Sequence, residues 1–252
     1  MLRSMSSMRS FTIHATDGDM GAVDGCLFDD EQWTMRYLTV NTGDWLTGRL
    51  VLVSPIAFRA VAWDLQTFDV ALTRQQVEQS PSLATDQPVS RQQEEEYARY
   101  YGYRYYWDGL GLWGASMYPR MATMSAVNPT SGEPATVRPP TDDLHLRSAR
   151  AVTGYAIQAR DGPLGHVEDF IVDDESWALR YMVVDTRNWW PGKHVLVPPQ
   201  WIESVHWPQS SIVVDLLRET IKACAEYDPA TLRKSGVRDQ APPESPAHVV
   251  LG

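Results

Sequence analysis

Asp161-Gly162-Pro163-Leu164-Gly165-His166-Val167-Glu168-Asp169 is the stretch on which the fold turns, because its spacing occurs twice. In the first half of the chain it reads Asp17-Gly18-Asp19-Met20-Gly21-Ala22-Val23-Asp24-Gly25, 144 positions earlier. Working outward at that offset, the two halves align without a gap. Leu2-Arg3-Ser4 returns as Leu146-Arg147-Ser148, and Asp29-Asp30-Glu31 with Trp33 returns as Asp173-Asp174-Glu175 with Trp177. Arg36-Tyr37 returns as Arg180-Tyr181, and Thr42, Trp45, Gly48, Val51-Leu52-Val53 and Pro55 return as Thr186, Trp189, Gly192, Val195-Leu196-Val197 and Pro199. Trp63 and Arg74 recur as Trp207 and Arg218. Roughly a third of positions from Phe11 to Glu78 are identical to their counterparts, which reads as a tandem duplication.

Within each copy, short runs of β-branched and aromatic residues are broken by Gly and Asp, the pattern of strands separated by turns. In the second copy the predicted strands are 156–159, 167–172, 179–185, 194–197, 202–206 and 211–215. So many short strands in about sixty residues make a poor flat sheet, whereas a small closed barrel or a tightly curled sheet gives them one shared interior. Helical spacing follows at Leu217, Ile221 and Cys224, with a weaker equivalent at 72–79 in the first copy. The chain is therefore read as mainly β. Residues 1–80 form the first repeat, 81–144 a linker, 145–229 the second repeat and 230–252 a polar, Pro-rich tail.

The linker has no counterpart in the repeat. Ser90 with Gln93 makes a capping box that opens a helix through Glu94-Glu95-Glu96. Aromatic residues then crowd together at Tyr97, Tyr100, Tyr101, Tyr103, Tyr105, Tyr106, Trp107 and Trp113. With Arg99 and Arg104 among them the run imitates a stacking platform for single strands, but three consecutive glutamates make a poor electrostatic track. The favoured role of Tyr97 to Trp107 is a contact between the repeats or between two copies of the chain.

The Gly-turn motif, the Arg-Tyr strand and the Trp-x-x-Gly element that leads into Val-Leu-Val and Pro, each present twice, resemble the PRC-barrel family. That fold occurs in the cytoplasmic domain of reaction-centre H subunits and in the C-terminal domain of a ribosome-maturation factor. The resemblance implies two small PRC-like barrels and a role in binding and assembly, since the family has no shared catalytic centre. It covers both repeats but neither the linker nor the tail.

Charge and motif content narrow the function further. A net charge of -10 argues against broad nucleic-acid binding. The chain contains no apolar run of membrane-spanning length and its first residues lack the core of a secretion signal, so a cytoplasmic protein is expected. Two cysteines, Cys26 and Cys224, are too few for a disulfide framework. If each copy held an active site, reactive residues would recur at the offset. His14, His166, His194 and His206 instead face Gln158, Ala22, Leu50 and Ala62. No metal-ligand spacing, nucleophile elbow or phosphate loop stands out, so neither an enzyme nor a cofactor is expected. The recurrent acidic triplets suit a hard cation, but Asp at a turn usually serves the nearby backbone. Trp45, Trp189 and Trp190 lie where polar loop residues are usual. They are the candidate contacts for a protein partner, with a lid over their own barrel as the structural alternative. Two readings of function follow: a protein-binding adaptor, or a sensor that takes a small molecule or ion at a barrel mouth or between the barrels.

Overall fold

The structure is a computed structural model that describes residues 1–46, 49–81, 89–119, 144–186, 193–222 and 227. Its strands, in chain order, begin with β1 (Leu2–Ser4), β2 (Thr12–Ala15), β3 (Gly18–Asp29), β4 (Thr34–Asn41) and β5 (Leu50–Val53). After β6 (Phe58–Ala62) and β7 (Thr67–Val70) comes the short helix α1 (Arg74–Glu78). The linker supplies β8 (Val89–Ser90) and helix α2 (Arg91–Tyr101). The second half contains β9 (Leu144–Ser148), helix α3 (Ala149–Val152), β10 (Ala156–Ala159), β11 (Gly162–Asp173) and β12 (Leu179–Asp185). It closes with β13 (His194–Val197), β14 (Ile202–His206), β15 (Ser211–Val214) and helix α4 (Arg218–Lys222).

These strands form two sheets with the same internal order, β5-β4-β3-β2-β7-β6 and β13-β12-β11-β10-β15-β14. In each, one pair is parallel, β2 with β7 and β10 with β15, and the remaining neighbours run antiparallel. The mainly β reading is what the structure shows. The expected closure is not seen: among the described residues the end strands of each path are not hydrogen-bonded to one another.

The Gly motif has a steric origin. Gly21 and Gly165 adopt φ of 142° and 151°, and a β-carbon on either would run into a backbone carbonyl, that of Asn41 or of Asp185. Only a residue without a side chain lets the long strand pass its neighbour so closely. Just beyond, β3 and β11 shift register at matching places, Val23/Gly25 and Leu27/Phe28 in one, Val167/Asp169 and Ile171/Val172 in the other. Such bulges bend a strand and increase its twist, so one long strand can serve different partners along its length. The early part of β3 pairs with β2 and its last residues pair with β9; β11 pairs likewise with β10 and then β1.

The chain divides into two compact units whose membership crosses the sequence halves. One contains Met1–Ser7, Ala149–Asp174 and the described residues from Leu179 onward; the other contains the described residues of Met8–Ser148 together with Glu175–Ala178. The apolar cluster of the first unit is Leu2, Ile171, Tyr181 and Val183, with Leu196 and Tyr227 packed against it. The second has Leu27, Tyr37, Leu52, Val89, Tyr97 and Leu146, with Tyr101 and Tyr103 alongside. Among the described residues, no helix is long and apolar enough to cross a membrane.

Candidate functional site

The unit built on the first sheet holds the densest polar chemistry among the described residues. It starts from the recurrent acidic turn. Asp29, at the end of β3, accepts hydrogen bonds through Oδ1 from the backbone N–H groups of Glu31 (2.8 Å) and Gln32 (3.2 Å). Its other oxygen accepts from Arg36 at 3.1 Å. Asp29 thus organises its own hairpin, the usual work of Asp in a turn.

Arg36, on β4, is fully buried. Its guanidinium donates to Asp29, to Gln32 Oε1 (2.5 Å) and to the Leu112 carbonyl. It also lies 3.6 Å from the Tyr106 ring centroid and 4.9 Å from that of Trp113, whose indole N–H donates to the Ser176 carbonyl at 2.8 Å. A desolvated guanidinium against aromatic faces is favourable because the ring quadrupole offers partial negative charge. Arg36 therefore clamps the turn after α2 to the sheet.

Beside it lies a second buried group. Glu94 sits on the inward face of α2 with Tyr97 and Ala98, and both it and His145 on β9 are almost wholly removed from solvent. Glu94 Oε2 lies 2.6 Å from His145 Nε2 and accepts the Tyr106 hydroxyl hydrogen at 3.0 Å. Arg91 donates to the Tyr106 oxygen at 3.0 Å and stands 3.6 Å from the same carboxylate oxygen. Burial, followed by the negative charge of Glu94, holds the Tyr106 and Tyr37 phenols well above the ordinary tyrosine value. Two atoms of this network, Arg36 Nε and Glu94 Oε1, are buried with no hydrogen-bond partner among the described residues.

A cleft opens next to the network, lined by Arg36, Tyr37, Tyr103, Tyr105, Trp107 and Trp113 among others, with room at its centre for about one water molecule. The arrangement offers carboxylate, imidazole and phenol groups in mutual contact, but they are engaged with one another rather than aimed into an open chamber. Its evident work is to fasten β4, α2, β9 and the Tyr106 turn into one body.

The structure places the tyrosine run on this unit. Tyr97 is buried against Tyr37, with ring centroids 5.2 Å apart at 85°, and donates to the Leu52 carbonyl at 2.6 Å. Tyr101 and Tyr103 stack at 5.4 Å, and Tyr105 stacks on Trp107 at 4.8 Å. Arg91 lies 4.2 Å from the Trp107 centroid, while the exposed Tyr100 donates to the Gln76 carbonyl. Trp45 is half-buried; its N–H donates to the Met20 carbonyl at 2.6 Å and Arg74 lies 4.5 Å from its ring. Trp189 and Trp190 lie outside the described residues. Glu94, Arg36 and His145 were not singled out from the sequence. For Glu94 a signal existed, since it shares a helical face with Tyr97, Ala98 and Tyr101 at the spacing of an apolar stripe. His145 has Met1 as its counterpart at the offset, so the repeat test could not flag it.

Comparison with models of known protein families and with curated proteins found no match to this chain.

Proposed function

We propose that this chain is a non-enzymatic, cytoplasmic adaptor built from two duplicated PRC-barrel-like repeats, and that it works by binding a protein partner. The observation that carries the reading is the segment after α2. Its base is fixed by Arg36, Tyr106 and Trp113, and backbone bonds from Gly111 to Gly114 and from Trp113 to Ser116 tie its turns. Yet it leaves Leu110, Met117 and Tyr118 exposed. Apolar side chains held out on an immobilised turn suit a protein contact, since little ordering cost remains for binding. Trp45, Trp189 and Trp190 belong to the same reading as additional contacts.

The test is affinity capture from a native lysate with the intact chain and two variants. One carries Leu110→Ser, Met117→Ser and Tyr118→Ser; the other carries Trp45→Ala, Trp189→Ala and Trp190→Ala; both are checked for folding by circular dichroism. A partner retained by the intact chain and lost with either folded variant supports the adaptor. Identical captures with all three, or none, would count against it. The alternative, a sensor for a small molecule or ion, draws on Arg36 Nε, which has no hydrogen-bond partner among the described residues and lies beside the aromatic cleft. Thermal stabilisation by one compound in a metabolite and salt screen, abolished by Arg36→Met, would favour that reading.

A further inference from the structure

Each sheet takes in a strand from the other half of the sequence, and the pairings on β11 and β3 match residue for residue, although β9 also pairs on its far side with β8 whereas, among the described residues, β1 pairs with β11 alone. On β11, Leu2 faces Asp173, Arg3 faces Val172 and Ser4 faces Ile171. On β3, Leu146 faces Asp29, Arg147 faces Phe28 and Ser148 faces Leu27, the same register displaced by 144 positions. Side-chain recognition is repeated as well. Arg3 Nε lies 3.1 Å from Asp174, and Arg147 Nε lies 2.7 Å from Asp30, its counterpart. Leu2 packs with Ile171, Tyr181 and Leu196; Leu146 packs with Leu27, Tyr37 and Leu52, again the same set at the offset. An unpaired stretch of strand edge is a template for another chain, and here both templates read the same Leu-Arg-Ser sequence.

We propose that the ends of β3 and β11 are interchangeable acceptor sites for a Leu-Arg-Ser strand, and that a second copy of this chain fills them by trading its β1 and β9 for those of the first. Every pairing described above is kept when the donor is a second chain, so the closed and exchanged forms differ mainly in how the ends are tethered. The chain length permits it: the 24 residues from 120 to 143 in the sequence give a covalent reach of at most about 80 Å, between two and three times the roughly 30 Å width of a small domain. Short sheet edges with a degenerate reading of their partner are where such exchange occurs. The inference is independent of the adaptor reading, because it concerns only copies of this chain.

Charge exchange tests it on the full-length protein. One variant carries Asp30→Lys and Asp174→Lys, the other Arg3→Asp and Arg147→Asp. Each alone places like charges on every strand contact, whereas a mixed pair restores opposite charges at all four contacts. Refolded together from denaturant, the two should give a heterodimer of twice the 28.5 kDa chain mass, melting above either variant alone. Two folded variants that remain separate monomers with unchanged melting would overturn the proposal. Should either variant fail to fold alone, a chain with Arg3→Cys, Val172→Cys and Cys224→Ser decides, since the first two positions are register partners and Cys26 is buried. Refolded and oxidised at rising concentration, it should show a covalent dimer that increases with concentration. Covalently closed monomers at every concentration would refute the exchange.

Discussion

Gly21 and Gly165 show how one absent side chain sets a sheet. Each packs its α-carbon against the carbonyl of a neighbouring strand at a φ that other residues rarely adopt. Gly21→Ala or Gly165→Ala should cost about 3 kcal/mol, adding backbone strain to overpacking, since the atoms in the way are main chain and cannot rotate aside. Urea titration measures it; a midpoint unchanged from wild type would mean that the strands separate freely at this point. Glu94 and His145 make a different argument at the same scale. Removing one member of a buried pair leaves the other polar group without its partner, so Glu94→Leu and His145→Leu should each destabilise by about 3 kcal/mol. The double variant should lose clearly less than the sum, with a coupling of about 1–3 kcal/mol. Additive losses would show that the 2.6 Å contact is incidental.

At the scale of elements, α2 forms where its cap and its inner face agree. The Ser90 hydroxyl accepts from the Gln93 N–H while the Gln93 side chain accepts from the Ser90 N–H, and Gly102 ends the helix in the left-handed conformation. Ser90→Ala should therefore lower stability by about 1 kcal/mol, read as a shift in melting temperature, and Ser90→Asp should recover most of it. Loss with both would point to packing of the serine rather than to capping. This helix start was legible in the sequence, as were the strands 156–159, 179–185, 194–197 and 202–206, because turn residues flank runs of alternating or continuous apolar side chains. The long β11 was expected to start at Val167, yet it begins at Gly162, because the two glycines that signal a break let the strand continue through a close approach. Short β1 and β9 escaped the pattern altogether. Three to five residues have no periodicity of their own, and their pairing depends on edges far away in sequence. The buried Arg36 was illegible for a related reason: in a sequence a charged residue reads as surface, and only the fold reveals that it lies beneath a turn of tyrosines, whereas the place of Glu94 on the apolar stripe of α2 did mark it.

For the whole molecule, the crowding of phenols in one unit makes alkali the condition most revealing of its packing. Tyr37, Tyr97 and Tyr106 are all held well above the ordinary phenol value, in each case first by burial. Glu94 adds to the shift of Tyr37 and Tyr106, and the neighbouring phenols Tyr101 and Tyr103 add to that of Tyr97. A phenol raised in this way keeps its proton in the folded chain at a pH where the unfolded chain has released it. The unfolded state then binds fewer protons, so stability falls as pH rises. The contribution is whole below the unfolded value of about 10 and is lost progressively above it. Raising the pH past that point should therefore leave the buried tyrosines protonated until the unit opens, whereupon tyrosinate absorbance and the loss of circular dichroism rise together in one cooperative step. Tyr106→Phe removes one of these linked protons, so its stability should fall less steeply with pH even though it is less stable at neutrality through loss of the Glu94 hydrogen bond. Smooth titration of every phenol near the ordinary value, with the circular dichroism unchanged, would show that the aromatic turn and α2 are open to solvent and that the clamp formed by Arg36, Glu94 and His145 does not hold the unit closed.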